Sequence, residues 1–159
     1  MTVKHRISTC FWFDDDGEEA ANFYVSLFPN SRIVSVSRYG EGGMMRKGLA
    51  MLTRFELDGV SFSALNGGPH YKLTEAASLV ALCDDQAEID RLWSALTANG
   101  GAESRCGWLK DRFGLAWQII PSMLEEIMTG DEARLGRVMG AMMPMAKIDI
   151  ARLVKAAER

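Results

Sequence analysis

The alternation of apolar and polar residues predicts two copies of the same run of strands and helices. Residues 7–13 are rich in β-branched and aromatic types, which predicts a buried strand. An apolar face with helical spacing follows, and then strands at about 32–38, 49–57 and 60–65. From residue 79 the same order begins again. The chain therefore predicts two tandem β-α-β-β-β modules.

Both predicted helices begin with an aspartate that can cap free backbone N–H groups and a glutamate three residues later, as in a capping box. Asp15 and Glu18 form this pair in the first helix, and Asp85 and Glu88 form it in the second. The acids at 14–16 could also suggest a cation site, but the helix macrodipole favours acids at a helix start, so we predict capping. One apolar face follows in each helix: Ala20, Phe23, Tyr24, Leu27 and Phe28 in the first, and Ile89, Leu92, Trp93 and Leu96 in the second.

Two constant shifts relate the modules. A shift of 70 residues superposes Asp15 on Asp85, and a shift of 55 superposes Gly59 on Gly114. The second module is thus shorter in its middle, so the glycine-rich segment 40–48 is predicted to be a hairpin tip that only the first module has. This segment lacks the Lys-Ser/Thr ending and the strand-to-helix context of a phosphate-binding loop.

The second module is predicted to close with a strand at 104–110, a tight turn at 111–114 and a strand at 115–120. A helical tail follows, with a short piece at 124–128. Asp131 can cap a second tail helix, and Asp149 a third. Their predicted apolar faces are Leu135, Val138, Met139 and Met142 in the second, and Ile150, Leu153 and Val154 in the third. We expect one domain, 1–159, made of a first module at 7–66, a second at 77–121 and the tail at 122–159.

The length, composition and charge of the chain indicate a globular protein and give no support for nucleic acid or membrane as a partner. The 159 residues suit a single domain, and 48% hydrophobic with 25% charged residues is ordinary for a globular chain. The net charge of -3 gives no electrostatic case for nucleic acid or an anionic membrane as a partner. No signal-peptide pattern or membrane-spanning apolar run occurs, and Cys10, Cys83 and Cys106 form no C-x-x-C motif. We therefore expect a cytoplasmic protein with reduced cysteines.

Several separated motifs resemble one group of proteins. They are Cys10-Phe-Trp-Phe-Asp14, Glu19-Ala-Ala-Asn-Phe-Tyr24, Leu27-Phe-Pro-Asn-Ser31, Ala64-Leu-Asn-Gly-Gly68 and Cys106-Gly-Trp-Leu-Lys-Asp-Arg-Phe-Gly-Leu-Ala-Trp-Gln118. With the tandem modules, they resemble the PhnB-like branch of the vicinal oxygen chelate superfamily, often labelled a 3-demethylubiquinone-9 3-methyltransferase domain. That superfamily includes glyoxalase I, extradiol dioxygenases, and the fosfomycin and bleomycin resistance proteins. The resemblance extends over nearly the whole chain, including Lys147-Ile-Asp-Ile150. It implies an α+β fold of the glyoxalase/bleomycin resistance-like type, in which both modules form a curved mixed sheet around one cleft.

The resemblance also implies where a metal would bind. In the superfamily's metalloenzymes, four ligands, typically His and Glu, come from the first and fourth strands of each module. The matching positions here are Ser8, Ser63, Ser78 and Gln118. Neutral hydroxyls and an amide are poor ligands for zinc, nickel or iron, so we expect no metal and no other cofactor. His5 and His70, the two histidines, are expected to be solvated.

The same positions predict a ligand site. We expect Ser8, Ser63, Ser78 and Gln118 to converge in the cleft as hydrogen-bonding groups, with Cys10, Val80, Cys106 and Trp108 as neighbours. Trp117 alternates with Gln118 and should face a helix, while Trp93 should lie in the core. Cys106 could be a nucleophile, but no activating residue is evident at readable spacing, so a structural thiol is the prediction.

Three functions compete at this stage. The first is a metal-independent protein that binds a small organic molecule. The second is an enzyme, either the methyltransferase of the family label or a metal-dependent lyase or dioxygenase, although no nucleotide-binding fingerprint or general base is evident. The third is a purely structural dimerisation module, which would not need the polar cleft positions. We also expect a homodimer, with the methionine-rich segment 139–145 in the core or at the dimer contact.

Overall fold

A computed structural model describes residues 6–158, so His5 lies outside the described residues. The chain divides into two compact units, with the boundary between Leu73 and Thr74. We call them unit 1 and unit 2, in chain order. Each contains one four-stranded mixed sheet, with one strand pair parallel and the others antiparallel.

Unit 1 contains one helix and four strands. They are β1 (Thr9–Phe13), α1 (Gly17–Leu27), β2 (Arg32–Arg38), β3 (Ala50–Leu57) and β4 (Val60–Asn66). The strand order is β1-β4-β3-β2, with β1 parallel to β4. The segment between β2 and β3 is a hairpin connection, as predicted, in which Tyr39 N–H donates to Leu49 O at 2.9 Å.

Unit 2 repeats this order and adds the helical tail. Its elements are β5 (Ser78–Cys83), α2 (Gln86–Thr97), a 3₁₀ turn (Ala98–Gly100), β6 (Ala102–Glu103), β7 (Trp108–Lys110), β8 (Ala116–Pro121), α3 (Met123–Met128), α4 (Glu132–Met142) and α5 (Ile150–Ala157). The strand order is β5-β8-β7-β6, with β5 parallel to β8.

The strand registers of the two sheets are equivalent. In unit 1, Cys10 on β1 lies opposite Ser63 on β4. In unit 2, Val80 on β5 lies opposite Gln118 on β8. These pairs are related by the shifts of 70 and 55 residues found in the sequence. The predicted α+β fold with duplicated β-α-β-β-β modules is confirmed.

Each long helix packs its apolar face on its own sheet. In α2 the four predicted residues, Ile89, Leu92, Trp93 and Leu96, are all buried. In α1 the buried face consists of Ala20, Ala21 and Tyr24, and the ring of Tyr24 lies 6.4 Å from that of Phe55 on β3. Phe23, Leu27 and Phe28, which belong to the predicted apolar face, are only half-buried.

The predicted cap of α1 is wrong. The helix begins at Gly17, Asp16 occupies the N-cap position, and the Asp16 side chain makes no capping hydrogen bond. The acceptor for Gly17 N–H is instead Asn66 Oδ1 on β4, at 2.8 Å. The sequence signature with Asp15 and Glu18 is therefore not used, because a side chain distant in the sequence takes its place.

The other predicted caps are confirmed. Asp85 accepts from Glu88 N–H at 2.8 Å, and Glu88 Oε2 accepts from Asp84 N–H at 3.0 Å. Asp131 caps α4 and Asp149 caps α5 in the same way, each accepting from the N–H three residues later. These caps depend only on neighbours within one helical turn.

The predicted strand at 104–110 is too long. Only Trp108–Lys110 pairs as a strand, and a two-residue strand, β6, precedes it. Cys106 has φ of 59°, a left-handed conformation that lies outside the regular β region. The N–H groups of Cys106 and Gly107 instead donate to the carbonyls of Met145 and Ala146, at 2.6 and 2.9 Å. The tail thus takes the backbone bonds that a longer strand would have made.

The tail helices belong to the core of unit 2. Val138 and Met142 on α4, and Leu153 on α5, are buried, whereas Met139 and Val154 of the predicted faces are more exposed. Between residues 6 and 158, no helix is both long enough and apolar enough to cross a membrane.

Candidate functional site

Each sheet has one face covered by its helix and one open face. In β5, Ala81 and Cys83 are buried toward α2, whereas Val80 and Leu82 are 51% and 41% exposed. Because side chains alternate along a strand, residues with the parity of Val80 line the open face. The candidate site is built from residues on these open faces.

In unit 2 the structure brings four predicted site residues together. Gln118 on β8 lies between Val80 on β5 and Trp108 on β7, so the three form one row across the open face. The Gln118 amide donates through Nε2 to Ser78 Oγ at 2.9 Å. These residues present apolar surface around a neutral, hydrogen-bonded pair.

In unit 1 the structure pairs Cys10 with Ser63 on the open face. Ser8 has the same parity as Cys10, is exposed and lies just before β1. Two further residues continue this row: Arg54 lies opposite Ser63, and Ser35 lies opposite Arg54. Sequence reasoning missed both of them. The hairpin turn at Asp58-Gly59 could have identified Arg54, because counting back from the turn places it across from Ser63.

Cys106 does not belong to the unit 2 row. It lies in the turn before β7, and its Sγ is 3.8 Å from Met143 Sδ. Burial raises the pKa of the Cys106 thiol above its ordinary value. A thiol with a raised pKa is protonated at neutral pH, which disfavours a nucleophilic role and agrees with the predicted structural thiol.

Trp117 faces away from the site, as predicted. It is 2% exposed, and its Nε1–H donates to Asp111 Oδ2 at 2.9 Å. Asp111 itself is buried and also accepts through Oδ1 from the N–H groups of Phe113 and Leu115, at 2.9 and 3.1 Å. The sequence indicated Asp111 only as a turn residue, but its carboxylate fixes the β7–β8 turn and the Trp117 ring that lies behind Gln118.

The four residues that the resemblance matches to metal-ligand positions do not suit a transition metal. Ser8, Ser63, Ser78 and Gln118 offer neutral oxygen donors, whereas zinc, nickel and iron favour imidazole, thiolate or carboxylate. Within residues 6–158, no three or more His, Cys, Asp or Glu side chains are grouped so that they could hold a metal ion. His70 is exposed in the loop after β4, as expected.

Residues 5–120 match the family model described as 3-demethylubiquinone-9 3-methyltransferase. The chain belongs to this family. It is the PhnB-like branch of the vicinal oxygen chelate superfamily. The match to this family model covers both sheets but ends before α3. The helical tail therefore lies outside the match, although we expected the resemblance to include it.

One solved structure agrees with this family, and a second, below 25% identity, shows the fold alone. A PhnB protein from Bacillus cereus, provisionally described as a 3-demethylubiquinone-9 3-methyltransferase, is 34% identical, with a TM-score of 0.68 over 74% of this chain and 98% of that one. A protein from Pseudomonas aeruginosa is 21% identical, with a TM-score of 0.61 over 74% and 97%.

A more distant neighbour shares the fold alone. It is a glutamate-to-glutamine variant of the fosfomycin resistance protein FosX from Listeria monocytogenes, in complex with Mn(II) and dihydroxypropylphosphonic acid. It is 13% identical, with a TM-score of 0.56 over 80% of this chain and 100% of that one. No protein with a curated functional description matches the sequence.

Proposed function

We propose that this protein binds a small organic molecule on the open face of its unit 2 sheet, without the transition metal of the superfamily's metalloenzymes. The observation that carries the proposal is the hydrogen bond from Gln118 Nε2 to Ser78 Oγ, at 2.9 Å. Both residues stand at positions where the metalloenzyme resemblance expects metal ligands. Here they are neutral and bind each other.

The surroundings of this pair support a small-molecule ligand. Val80 and Trp108 flank Gln118, and Val80 is 51% exposed. Gln118 Oε1 has no donor among residues 6–158, so it can accept a hydrogen bond from a ligand. Apolar surface with a few oriented polar groups is typical of sites for small organic molecules.

The FosX complex gives an analogy of fold only. That protein holds a small phosphonic acid together with Mn(II). Its ligand supports a small organic molecule as the class of ligand. Its metal has no counterpart here, because the donor set of Ser8, Ser63, Ser78 and Gln118 does not suit a transition metal.

Thermal shift with a library of small organic molecules tests the binding proposal. A compound that binds the folded protein raises the melting temperature, and the rise grows with the ratio of its concentration to its Kd. We expect the rise to shrink in Gln118→Met, which keeps the size of the side chain without the amide, and in Ser78→Ala. Ser26→Ala, on the exposed side of α1, is the matched control and should keep the full rise.

Two results would contradict the proposal. If no compound in the library raises the melting temperature, the binding function is wrong. If purified protein contains one transition-metal ion per chain by mass spectrometry, the metal-free part is wrong.

An enzyme of the family's named activity is the second candidate, and the family match favours it. Its test uses the compounds found in the screen: each is incubated with the protein and S-adenosylmethionine, and methylated product is sought by mass spectrometry. Turnover would replace the binding function by an enzymatic one.

Location and assembly remain proposals as well. We propose a cytoplasmic location, in agreement with three cysteines that form no disulfide with one another. We also propose that the protein forms a homodimer. Light scattering after size-exclusion chromatography would test the dimer: a mass of one chain at micromolar concentration would contradict it.

A further inference from the structure

A row of side chains crosses all four strands of the unit 1 sheet on its open face. Cys10 lies opposite Ser63, Ser63 opposite Arg54, and Arg54 opposite Ser35. The neighbours of Arg54 along β3, Thr53 and Phe55, are both buried toward α1, so Arg54 points to the open side. We call Cys10, Ser63, Arg54 and Ser35 the polar row.

The charge of Arg54 is not balanced on this face. Arg54 is exposed and forms no ion pair within residues 6–158. Glu56, two residues along the same strand, is the one carboxylate that the described strands place on this face. Glu56 is already held by Arg32 through two hydrogen bonds of 2.8 and 3.3 Å. Among the residues of the described strands, this face therefore carries one more guanidinium than carboxylates.

An apolar row runs beside the polar row. It consists of Trp12, Leu65 and Leu52, which lie opposite one another on β1, β4 and β3. The two rows are two residues apart along each strand, which is about 7 Å. All three apolar side chains are half-buried, so part of each is accessible.

The Trp12 indole is held in place by the loop after β4. Its Nε1–H donates to Gly68 O at 2.8 Å, and the ring of Tyr71 meets it edge to face at 4.9 Å. A Cβ at Gly67 would lie 2.2 Å from the indole, so a glycine is required there. Tyr71 is itself 67% exposed, which leaves an aromatic surface at the edge of the apolar row.

We propose that this face of unit 1 binds a small organic anion, a carboxylate attached to a planar apolar group. The Arg54 guanidinium takes the carboxylate through paired N–H bonds, with the hydroxyls of Ser63 and Ser35 beside it. The planar group lies on the apolar row that ends at Trp12. This inference rests on the proposed small-molecule function and extends it to the face of unit 1, with a ligand class of its own.

The duplicated module shows that the fold does not require this charge. The row in unit 2 that matches the polar row is Val80, Gln118 and Trp108. Trp108 stands where unit 1 has Arg54, each across from the residue on the fourth strand of its module. The β-α-β-β-β architecture therefore accepts either an arginine or a tryptophan at this position, and the positive charge of Arg54 belongs to the unit 1 surface alone.

The test compares benzoate with benzamide, which has nearly the same shape without the charge. Binding to the full chain is measured by titration in two-dimensional NMR, following the Trp12 indole N–H and the amides of the polar row. We expect benzoate to bind the wild type and to lose about tenfold or more in affinity in Arg54→Gln, because a charge-assisted bond is lost. Benzamide should bind both forms equally.

Arg46→Gln is the matched control, because it removes one charge from an exposed residue in the hairpin tip of the same unit. It should bind benzoate as the wild type does. Arg54→Lys keeps the charge but lacks the planar fork, so its affinity should lie between those of the wild type and Arg54→Gln.

Equal benzoate affinity in the wild type and Arg54→Gln would overturn this inference, as would benzoate shifts that leave Trp12 and the polar row unchanged. If other compounds still bind in the library screen, the proposed function survives that result. If no compound binds at all, both proposals fail.

Discussion

Asn66 Oδ1 accepts a hydrogen bond from the backbone N–H of Gly17 at 2.8 Å, although 49 residues separate the two in the sequence. Asn66 is 1% exposed, and its Nδ2 donates to the carbonyls of Asp15 and Ala50 at 3.1 and 2.9 Å. One amide on β4 therefore joins the start of α1 to the start of β3. This contact fixes the helix on the side of the sheet opposite the polar row.

The close approach makes Gly17 intolerant of a side chain. A Cβ there would lie 2.7 Å from Asn66 Oδ1 and 3.1 Å from the Phe13 ring. We expect Gly17→Ala to lower the free energy of unfolding by about 1–3 kcal/mol, as overpacking does. Urea denaturation followed by circular dichroism measures this change.

Gly136→Ala is its control, since a Cβ at Gly136 of α4 meets nothing within 4 Å. That substitution should stabilise the protein by up to about 1 kcal/mol, through helix propensity. A Gly17→Ala variant as stable as the wild type would contradict the described contact.

We expect the stability of the protein to depend on the carboxylate of Asp111. Its two oxygens accept hydrogen bonds from the N–H groups of Phe113 and Leu115 and from Trp117 Nε1. In Asp111→Asn an amide NH₂ must face at least one of these donors, so we expect a loss of about 2 kcal/mol or more in the free energy of unfolding. Asp131→Asn makes the same chemical change at an exposed helix cap, where Asn and Asp are equivalent, and should be nearly neutral. Equal effects of the two substitutions in guanidinium denaturation would refute this role of Asp111.

We expect the protein to become more stable when Thr53 loses its hydroxyl group. The residue is fully buried, and its Oγ1 has no hydrogen-bond partner within residues 6–158. Burying an unpaired hydroxyl costs about 1–3 kcal/mol, so Thr53→Val should raise the melting temperature. Thr97→Val is the comparison, because Thr97 Oγ1 donates to Trp93 O at 2.7 Å and its removal should bring no gain. A lower melting temperature in Thr53→Val would show that the hydroxyl is bonded.

Cys83 should make stability fall at alkaline pH. Burial, assisted by the charge of Glu88, raises the pKa of its thiol from 9.0 to about 12. The unfolded chain therefore releases this proton at lower pH than the folded chain does. The contribution to stability is complete below pH 9 and is lost as the pH rises toward 12, with a slope of up to about 1.4 kcal/mol per pH unit. Urea denaturation across this range should show a shallower decline in Cys83→Ala than in the wild type; parallel declines would exclude the effect.

Much of the fold follows from local patterns in the sequence. Asp85, Asp131 and Asp149 cap helices through N–H groups three residues away, so neighbouring residues are enough to predict them. The turn at 111–114 and the fully buried face of α2 follow from equally short-range patterns.

The candidate site could be predicted in part. The two internal shifts, together with the family resemblance, led to Cys10, Ser63, Val80 and Gln118, and the strand registers pair them as the shifts imply. Sequence reasoning missed Arg54, although the turn at Asp58-Gly59 sets its pairing with Ser63 across the β3–β4 hairpin. The sequence predicts Cys106 as a neighbour of the site, but the structure has it in the turn before β7. That turn depends on hydrogen bonds to the carbonyls of Met145 and Ala146, which lie far away in the sequence.

The sequence by itself determined the duplication, the order of strands and helices, and the caps whose donor and acceptor are a few residues apart. Only the tertiary structure decided that Asn66 caps α1, that the carbonyls of Met145 and Ala146 hold the turn at Cys106, and that Arg54 forms no ion pair within residues 6–158. The physical reason is the same in each case. A hydrogen bond or a strand pairing between distant segments depends on where the rest of the chain places them, and no local pattern of residues encodes that position.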